Sequence, residues 1–207
     1  MSVVRTVVLA TRNEGKIVEL RRILADADEK IELIGLERFP EIGEIAETGL
    51  TFAENALIKA HAVASASGLP AIADDSGLCV DALNGMPGVF SARWSGSHGD
   101  DAANLRLLLA QVSDVPDGRR GAHFACAAAL ALPGGDERVV EGTLAGTLIR
   151  SPRGSNGFGY DPIFVPDGEQ RTTAELSPAD KDAVSHRGRA FRALVPVLHE
   201  LLAGKAP

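Results

Sequence analysis

Apolar residues along the chain recur in two periods, and the switches between them mark out the elements. Residues 3–10 (VVRTVVLA) are β-branched and apolar, the composition of an interior strand. From Ile17 the spacing changes: Ile17, Leu20 and Leu24 repeat as on a helix, with Glu19, Arg21 and Arg22 on the polar side. That helix should end near residues 25–28, and residues 31–34 read as a second strand. Residues 35–50 are loop-like and acidic, carrying Glu37, Glu41, Glu44 and Glu47. Thr51 then opens a strong helix, with Glu54 completing a capping-box pattern. Its buried stripe is Ala53, Ala56, Leu57, Ala60, Val63 and Ala64, and Gly68 and Pro70 stop it.

Residues 70–74 (PAIAD) read as a short strand running into Asp74-Asp75-Ser76-Gly77, followed by an apolar run over 78–83. After a Gly-rich loop, Asp100 caps a helix carrying Leu105, Leu108 and Leu109. Residues 124–132 and 139–148 are strand-like and separated by Pro133-Gly134-Gly135-Asp136, a spacing that suits an antiparallel hairpin. The stretch GSNGFGYDPIFVP is a Gly-rich loop entering a short strand. A final helix over about 187–202 should bury Ala190, Leu194, Leu198 and Leu201, with Pro196 kinking it or delaying its start. Helices on a mixed sheet give an α/β or α+β protein, and residues 1–207 hold no repeat and no low-complexity linker.

Composition narrows the partners. The 207 residues suit one large domain or two intimate lobes. Aromatics make up only 4%, so the core must rest on Ala, Val, Leu and Ile, and an aromatic in a polar loop stands out. The net charge of −7 and the lack of a basic stripe argue against a nucleic-acid polymer. An anionic small ligand would therefore need local cations and a metal. Cys79 and Cys126 lie in apolar runs without metal-ligand spacing and read as buried free thiols of a reducing cytoplasm. Neither a signal peptide nor a run approaching the roughly 20 apolar residues of a membrane span is present.

Four stretches carry candidate chemistry. Thr11-Arg12-Asn13-Glu14-Gly15-Lys16 forms a polar turn opening a helix, where free backbone N–H groups and a lysine can meet an anion. A capped βα turn with a solvated Lys16 is the competing reading, and the P-loop pattern is absent. Asp74 and Asp75 at a strand end could hold Mg²⁺ and orient a water, though alternate side chains point oppositely and should not share one ligand shell. An ordinary Asp-rich turn, with Gly77 at positive φ, is the alternative. Glu47 could add a metal oxygen or be solvated, and Lys59 could be a phosphate contact or a surface lysine. In Gly157-Phe158-Gly159-Tyr160-Asp161 the flanking glycines let Phe158 present a ring face to a planar base, unless Phe158 is a buried anchor. Lys181 with Ser185-His186-Arg187 could meet a phosphate or the carbonyl edge of a base, or be a basic turn on a solvated helix.

The order of these motifs resembles the inosine triphosphate pyrophosphatase family, most closely its bacterial XTP/dITP diphosphatases. The resemblance rests on TRNEGK, ETGLTFAENALIKA, LPAIADDSGLCVDALNGMPGVFSARWSG, GFGYDPIF and AELSPADKDAVSHRG, and it spans nearly the whole chain. It implies an elongated mixed α/β fold with two lobes around a deep substrate cleft, and a homodimer. The implied reaction is hydrolysis of ITP, dITP or XTP to the monophosphate and pyrophosphate. By the same resemblance Thr11 through Lys16 line the phosphate site, with Asn13 and Lys16 as side-chain contacts. Asp75 is then proton acceptor and Mg²⁺ ligand, Ser76 touches substrate, Glu47 joins the metal site, and Asp74 and Lys59 support it. Phe158, Gly159, Tyr160 and Asp161 hold the base, and Lys181, His186 and Arg187 close around it and its 6-keto oxygen. Arg12 is bulky where the family commonly has a small residue, which adds a cation beside the phosphates. Two other classes remain: a Nudix-type hydrolase, whose long Glu-rich helix signature is missing, and a nucleotide sensor without turnover.

Overall fold

The computed structural model describes residues 5–12, 17–18, 21–22 and 31–203, with no side-chain description at 5, 202 and 203. Six strands form one mixed sheet: β1 (Arg5–Leu9), β2 (Ile31–Gly35), β3 (Ala71–Val80), β4 (Gly121–Ala131), β5 (Glu137–Leu148) and β6 (Phe164–Pro166). Their order is β2-β1-β3-β4-β5-β6, with β1 parallel to both β2 and β3 and with β5 antiparallel to β6. The α-helices whose full range lies among the described residues are α1 (Phe52–Ser67), α2 (Asp101–Gln111), α3 (Pro178–Val184) and α4 (His186–Ala203).

The chain divides into two compact units. The first comprises residues 1–75, 126–142 and 187–207. Its part of the sheet carries a helix on each face, and strand alternation sorts the side chains between them. Val7, Leu9, Ile72, Cys126, Ala128 and Leu130 pack with Ala190, Phe191, Leu194 and Leu198 of α4. Val8, Ala71, Ala73, Ala127, Ala129 and Ala131 pack with Ala56, Ala60, Val63 and Ala64 of α1. The second face is mostly alanine, which leaves little side chain to interdigitate between helix and sheet. The second unit, residues 76–125 and 143–186, has its own core around Leu78, Leu108, Phe124, Leu144, Ile163 and Phe164.

Most expected elements are present, with boundaries shifted by a few residues. Thr51 caps α1, its hydroxyl accepting from the Glu54 N–H at 3.1 Å, and Gly68 ends the helix with φ 69°. The Glu54 carboxylate reaches the N–H of Leu50 rather than that of Thr51, so the reciprocal half of the capping box sits one residue early. Asp100 caps α2 through the Ala103 N–H at 2.9 Å. Five residues separate β4 from its neighbour β5, too few for a parallel crossover, and Leu132 N–H to Asp136 O at 2.9 Å closes that hairpin. Residues 17, 18, 21 and 22 are helical as expected, while the other residues expected in that helix lie outside the described residues.

One expectation needs correction and another is narrowed. Asp74-Asp75-Ser76-Gly77 is not a turn after a short strand: β3 runs through it without interruption, and Gly77 has no positive φ. The apolar flanks on both sides keep the segment extended and buried, and they outweigh the local turn preference of Asp, Ser and Gly. At the C-terminus, the seven-residue α3 precedes α4, and Pro196 lies within α4 without delaying its start at His186.

Candidate active site: two clusters of buried polar groups

In the first unit β3 delivers two adjacent carboxylates to different partners. Asp74 Oδ2 meets Arg187 Nε at 3.3 Å, and both residues are buried. Asp75 has other partners: its Oδ2 accepts from Asn55 Nδ2 at 3.0 Å, and its Oδ1 lies 3.9 Å from Lys59 Nζ. The two carboxylates thus take different hydrogen-bond partners while both charges act on Lys59. Lys59 also donates to Glu47 Oε1 at 2.6 Å, so one ammonium faces the carboxylates of Glu47 and Asp75.

Asn55 and Lys59 are one turn apart on α1 and so share a face. The Asn55 carbonyl oxygen accepts the Gly49 N–H at 2.8 Å, tying down the loop that carries Glu47. Burial alone would lower the Lys59 pKa, but the facing charges of Asp74, Asp75 and Glu47 and the bond to Glu47 outweigh it. The ammonium is held above its ordinary 10.5.

The donor chemistry here is hard oxygen. Among the described residues no group of three or more His, Cys, Asp or Glu is arranged to hold a metal. Mg²⁺, however, takes one or two carboxylates and completes its shell with water and substrate phosphate oxygens. Glu47 and Asp75, already gathered about one cation, fit that requirement.

The second unit gathers a different set. Asp161 is buried and its carboxylate is fully engaged: Oδ2 accepts from Lys181 Nζ at 2.6 Å and from the Phe158 N–H at 2.8 Å, and Oδ1 from Thr173 Oγ1 at 2.8 Å. Gly157 has φ +76°, and a Cβ there would lie 2.1 Å from Asp161 Oδ2, so only glycine allows this approach. Gly159 has φ +60° and donates its N–H to Asp101 Oδ2 at 2.8 Å. The loop thus pinned leaves Phe158 39% exposed, with Lys181 Nζ 4.9 Å from its ring centroid. A cation and an exposed ring face, held by one buried carboxylate, are what a flat polar heterocycle needs.

Several expected contacts are placed differently. Tyr160 and Asp161 face inward; the Tyr160 hydroxyl donates to Ser91 O at 2.9 Å, and burial followed by the nearby Asp101 pushes its pKa up. Through these bonds the two residues hold the loop in shape. His186 stacks on Phe124, with ring centroids 4.8 Å apart and planes 11° apart. Arg187 belongs to the first unit, where it is 2% exposed and paired with Asp74. The Arg12 guanidinium donates to Ile42 O. Thr11 follows the end of β1, its N–H donating to Leu9 O at 2.9 Å, and Ser76 lies half-buried on β3. Asn13, Glu14, Gly15 and Lys16 lie outside the described residues.

The sequence reading passed over Asn55, Asp101 and Thr173. A polar residue one turn before Lys59 on a helix was a usable signal for Asn55. Nothing local marked Asp101, which reads as helix first-turn acid, or Thr173, in a polar loop.

Together the fold and these clusters define a mixed α/β protein with a carboxylate–lysine centre in one unit and a Gly-framed aromatic in the other. The chain belongs to the Ham1 family, whose model matches residues 7–197. It is 68% identical over 195 residues to a dITP/XTP pyrophosphatase of Streptomyces avermitilis, covering 94% of this chain and 98% of that one. A dITP/XTP pyrophosphatase of Mycobacterium tuberculosis is 56% identical over 205 residues, covering 99% of this chain and all of the relative. Among solved structures, a HAM1 protein from Coxiella burnetii superposes with a TM-score of 0.85 at 44% identity, covering 95% of this chain and 99% of that one. A nucleoside-triphosphatase (dITP/XTP pyrophosphatase) from Mycobacterium abscessus gives 0.76 at 59% identity, covering 92% and 99%.

Proposed function

We propose that this chain is a dITP/XTP pyrophosphatase, hydrolysing deaminated purine nucleoside triphosphates, ITP included, to the monophosphate and pyrophosphate. The observation that carries the reading is the pairing of Glu47 and the buried Asp75 with the single ammonium of Lys59, in a member of this family. We assign the phosphate chemistry to this set and the recognition of the ring to Phe158 and Lys181.

A triphosphate brings about four negative charges, whereas a helix terminus stabilises a charge by only about 0.3–1 kcal/mol. Cations must therefore do most of the work. Lys59 would supply one, Lys16 another by the motif resemblance, and Glu47 and Asp75 would hold Mg²⁺. When bound, the metal would neutralise phosphate charge and make a water more acidic. Asp75 would take the proton of a water that adds to the α-phosphorus; the bond to the bridging oxygen breaks and pyrophosphate leaves. An ammonium has three donors, and the bond to Asp161 leaves Lys181 able to serve a 6-keto oxygen. A 6-amino group would set donor against donor, at about 1–3 kcal/mol for each group left unsatisfied.

A homodimer is proposed on the motif resemblance, and sedimentation of the purified chain tests it. A cytoplasmic location is supported by two buried free cysteines. Separately, no helix of the described residues is long and apolar enough to cross a membrane. The deciding assay is a panel of nucleoside triphosphates with separate detection of pyrophosphate and orthophosphate. Pyrophosphate from ITP, dITP and XTP, with ATP left intact, is the expected result. Stepwise orthophosphate would overturn the reading, and tight binding without turnover would make the chain a sensor.

A further inference from the structure

The side chain of Asn55 is 0% exposed and holds two parts of the carboxylate centre at once. Its Nδ2 donates to Asp75 Oδ2 at 3.0 Å, and its Oδ1 accepts the Gly49 N–H at 2.8 Å. The two partners fix the amide orientation, since an N–H can meet only the carbonyl and a carboxylate only the amide nitrogen. A carboxylate turns readily about its last torsion. Pinning Oδ2 therefore sets where Oδ1 points, which is toward Lys59.

The other bond acts through the main chain. Gly49 lies two residues after Glu47, which itself reaches Lys59. A Cβ on Gly49 would sit 2.8 Å from Asn55 Oδ1 and 2.6 Å from Glu54 Cβ, so the loop reaches the amide only because that residue is glycine. The contacts thus close on themselves, from Asn55 to Asp75, Lys59, Glu47 and back through Gly49.

We infer that Asn55 is a positioning residue for the hydrolysis: it aims the Asp75 carboxylate and sets the distance of the Glu47 loop from it. This rests on the pyrophosphatase reading above. Asn55→Asp separates the two bonds, because the new carboxylate still accepts the Gly49 N–H but turns an oxygen toward Asp75 Oδ2. Asn55→Ala removes both bonds without adding charge, and it serves where the charged variant does not fold.

The experiment measures kcat and KM for dITP well below each melting temperature, together with amide hydrogen exchange at Gly49. For Asn55→Asp, kcat should fall about a hundredfold. Its KM should stay within about threefold of the parent value, the split expected of a misaimed reacting group. Gly49 should remain protected in Asn55→Asp and exchange freely in Asn55→Ala. A purely structural role would lower melting temperatures and leave kcat of the folded variants near the parent value, which would overturn the inference. Equal Gly49 exchange in all three proteins would overturn it too. Absence of pyrophosphate from the parent protein would instead sink the reaction, and the exchange data would still judge the clamp.

Discussion

Arg187 Nε stands 3.3 Å from Asp74 Oδ2, and the two side chains are 3% and 1% exposed. The pair joins the start of α4 to β3 beside Asp75, so a charge interaction far apart in sequence helps anchor the strand that carries the proposed base. Removing one partner of a buried pair commonly costs about 3–5 kcal/mol, because the other is left in a low-dielectric site. Arg187→Met should lower the unfolding free energy by that order in urea titration. Asp74→Asn with Arg187→Met should lose less than the single change, and an additive double variant would argue against direct coupling.

Phe158 keeps its ring exposed while its main chain is pinned to Asp161. Phe158→Ala should therefore raise KM for ITP roughly tenfold, consistent with about 1–3 kcal/mol for stacking one base. Steady-state kinetics with ITP check this, and an unchanged KM would remove the stacking role.

The same loop can be disturbed without touching the ring. Gly157→Ala places a Cβ 2.1 Å from Asp161 Oδ2 at φ +76°. Left-handed geometry alone costs an L-residue about 1–2 kcal/mol. A lower melting temperature and a higher KM for ITP are expected together, by calorimetry and kinetics.

Alkaline pH should destabilise the fold through three groups. Burial, then Asp81, raises Cys79 above its ordinary 9.0; burial, then Asp101, raises Tyr160 above 10.0. Burial opposes the rise at Lys59, but the three facing carboxylates carry it above 10.5. In each case the native state keeps its proton where the unfolded chain has begun to lose it. The stability is therefore intact below the unfolded values and declines as pH rises through about 9 and beyond. Calorimetry from pH 8 to 11 should show a falling melting temperature, and Tyr160→Phe should flatten the part above pH 10.

Chelation should abolish turnover and added Mg²⁺ restore it, if Glu47 and Asp75 hold the ion as proposed. A thermal shift without nucleotide gives a second readout: an ion present at a hundred times its Kd stabilises by about 2.7 kcal/mol. Asp75→Asn should lose both that shift and activity while remaining folded.

The strand and helix periods fixed much of the architecture in advance, because burying one face of an element leaves a local signature. The strand-like apolar run over 124–132 and the stripe from Ala56 to Ala64 are such signatures, whereas the division of 126–131 between two packed faces appears only in the fold. Glycine requirements were half legible. Phe158 between two glycines announced a special backbone, whereas the collision that makes Gly157 obligatory involves Asp161 and Lys181, visible only once folded.

What the chain alone determined was the inventory: which residues were available for phosphate, metal and ring, and on which kind of element each would sit. Tertiary structure decided who faces whom. It carried β3 straight through Asp74-Asp75-Ser76-Gly77, gave Asp74 to Arg187 and Asp75 to Asn55 and Lys59, and turned Asp161 inward onto its own loop. The physical reason is that hydrophobic periodicity is a local property of the chain. The partner of a buried charge, by contrast, is set by desolvation among residues that meet only after the sheet and helices have packed.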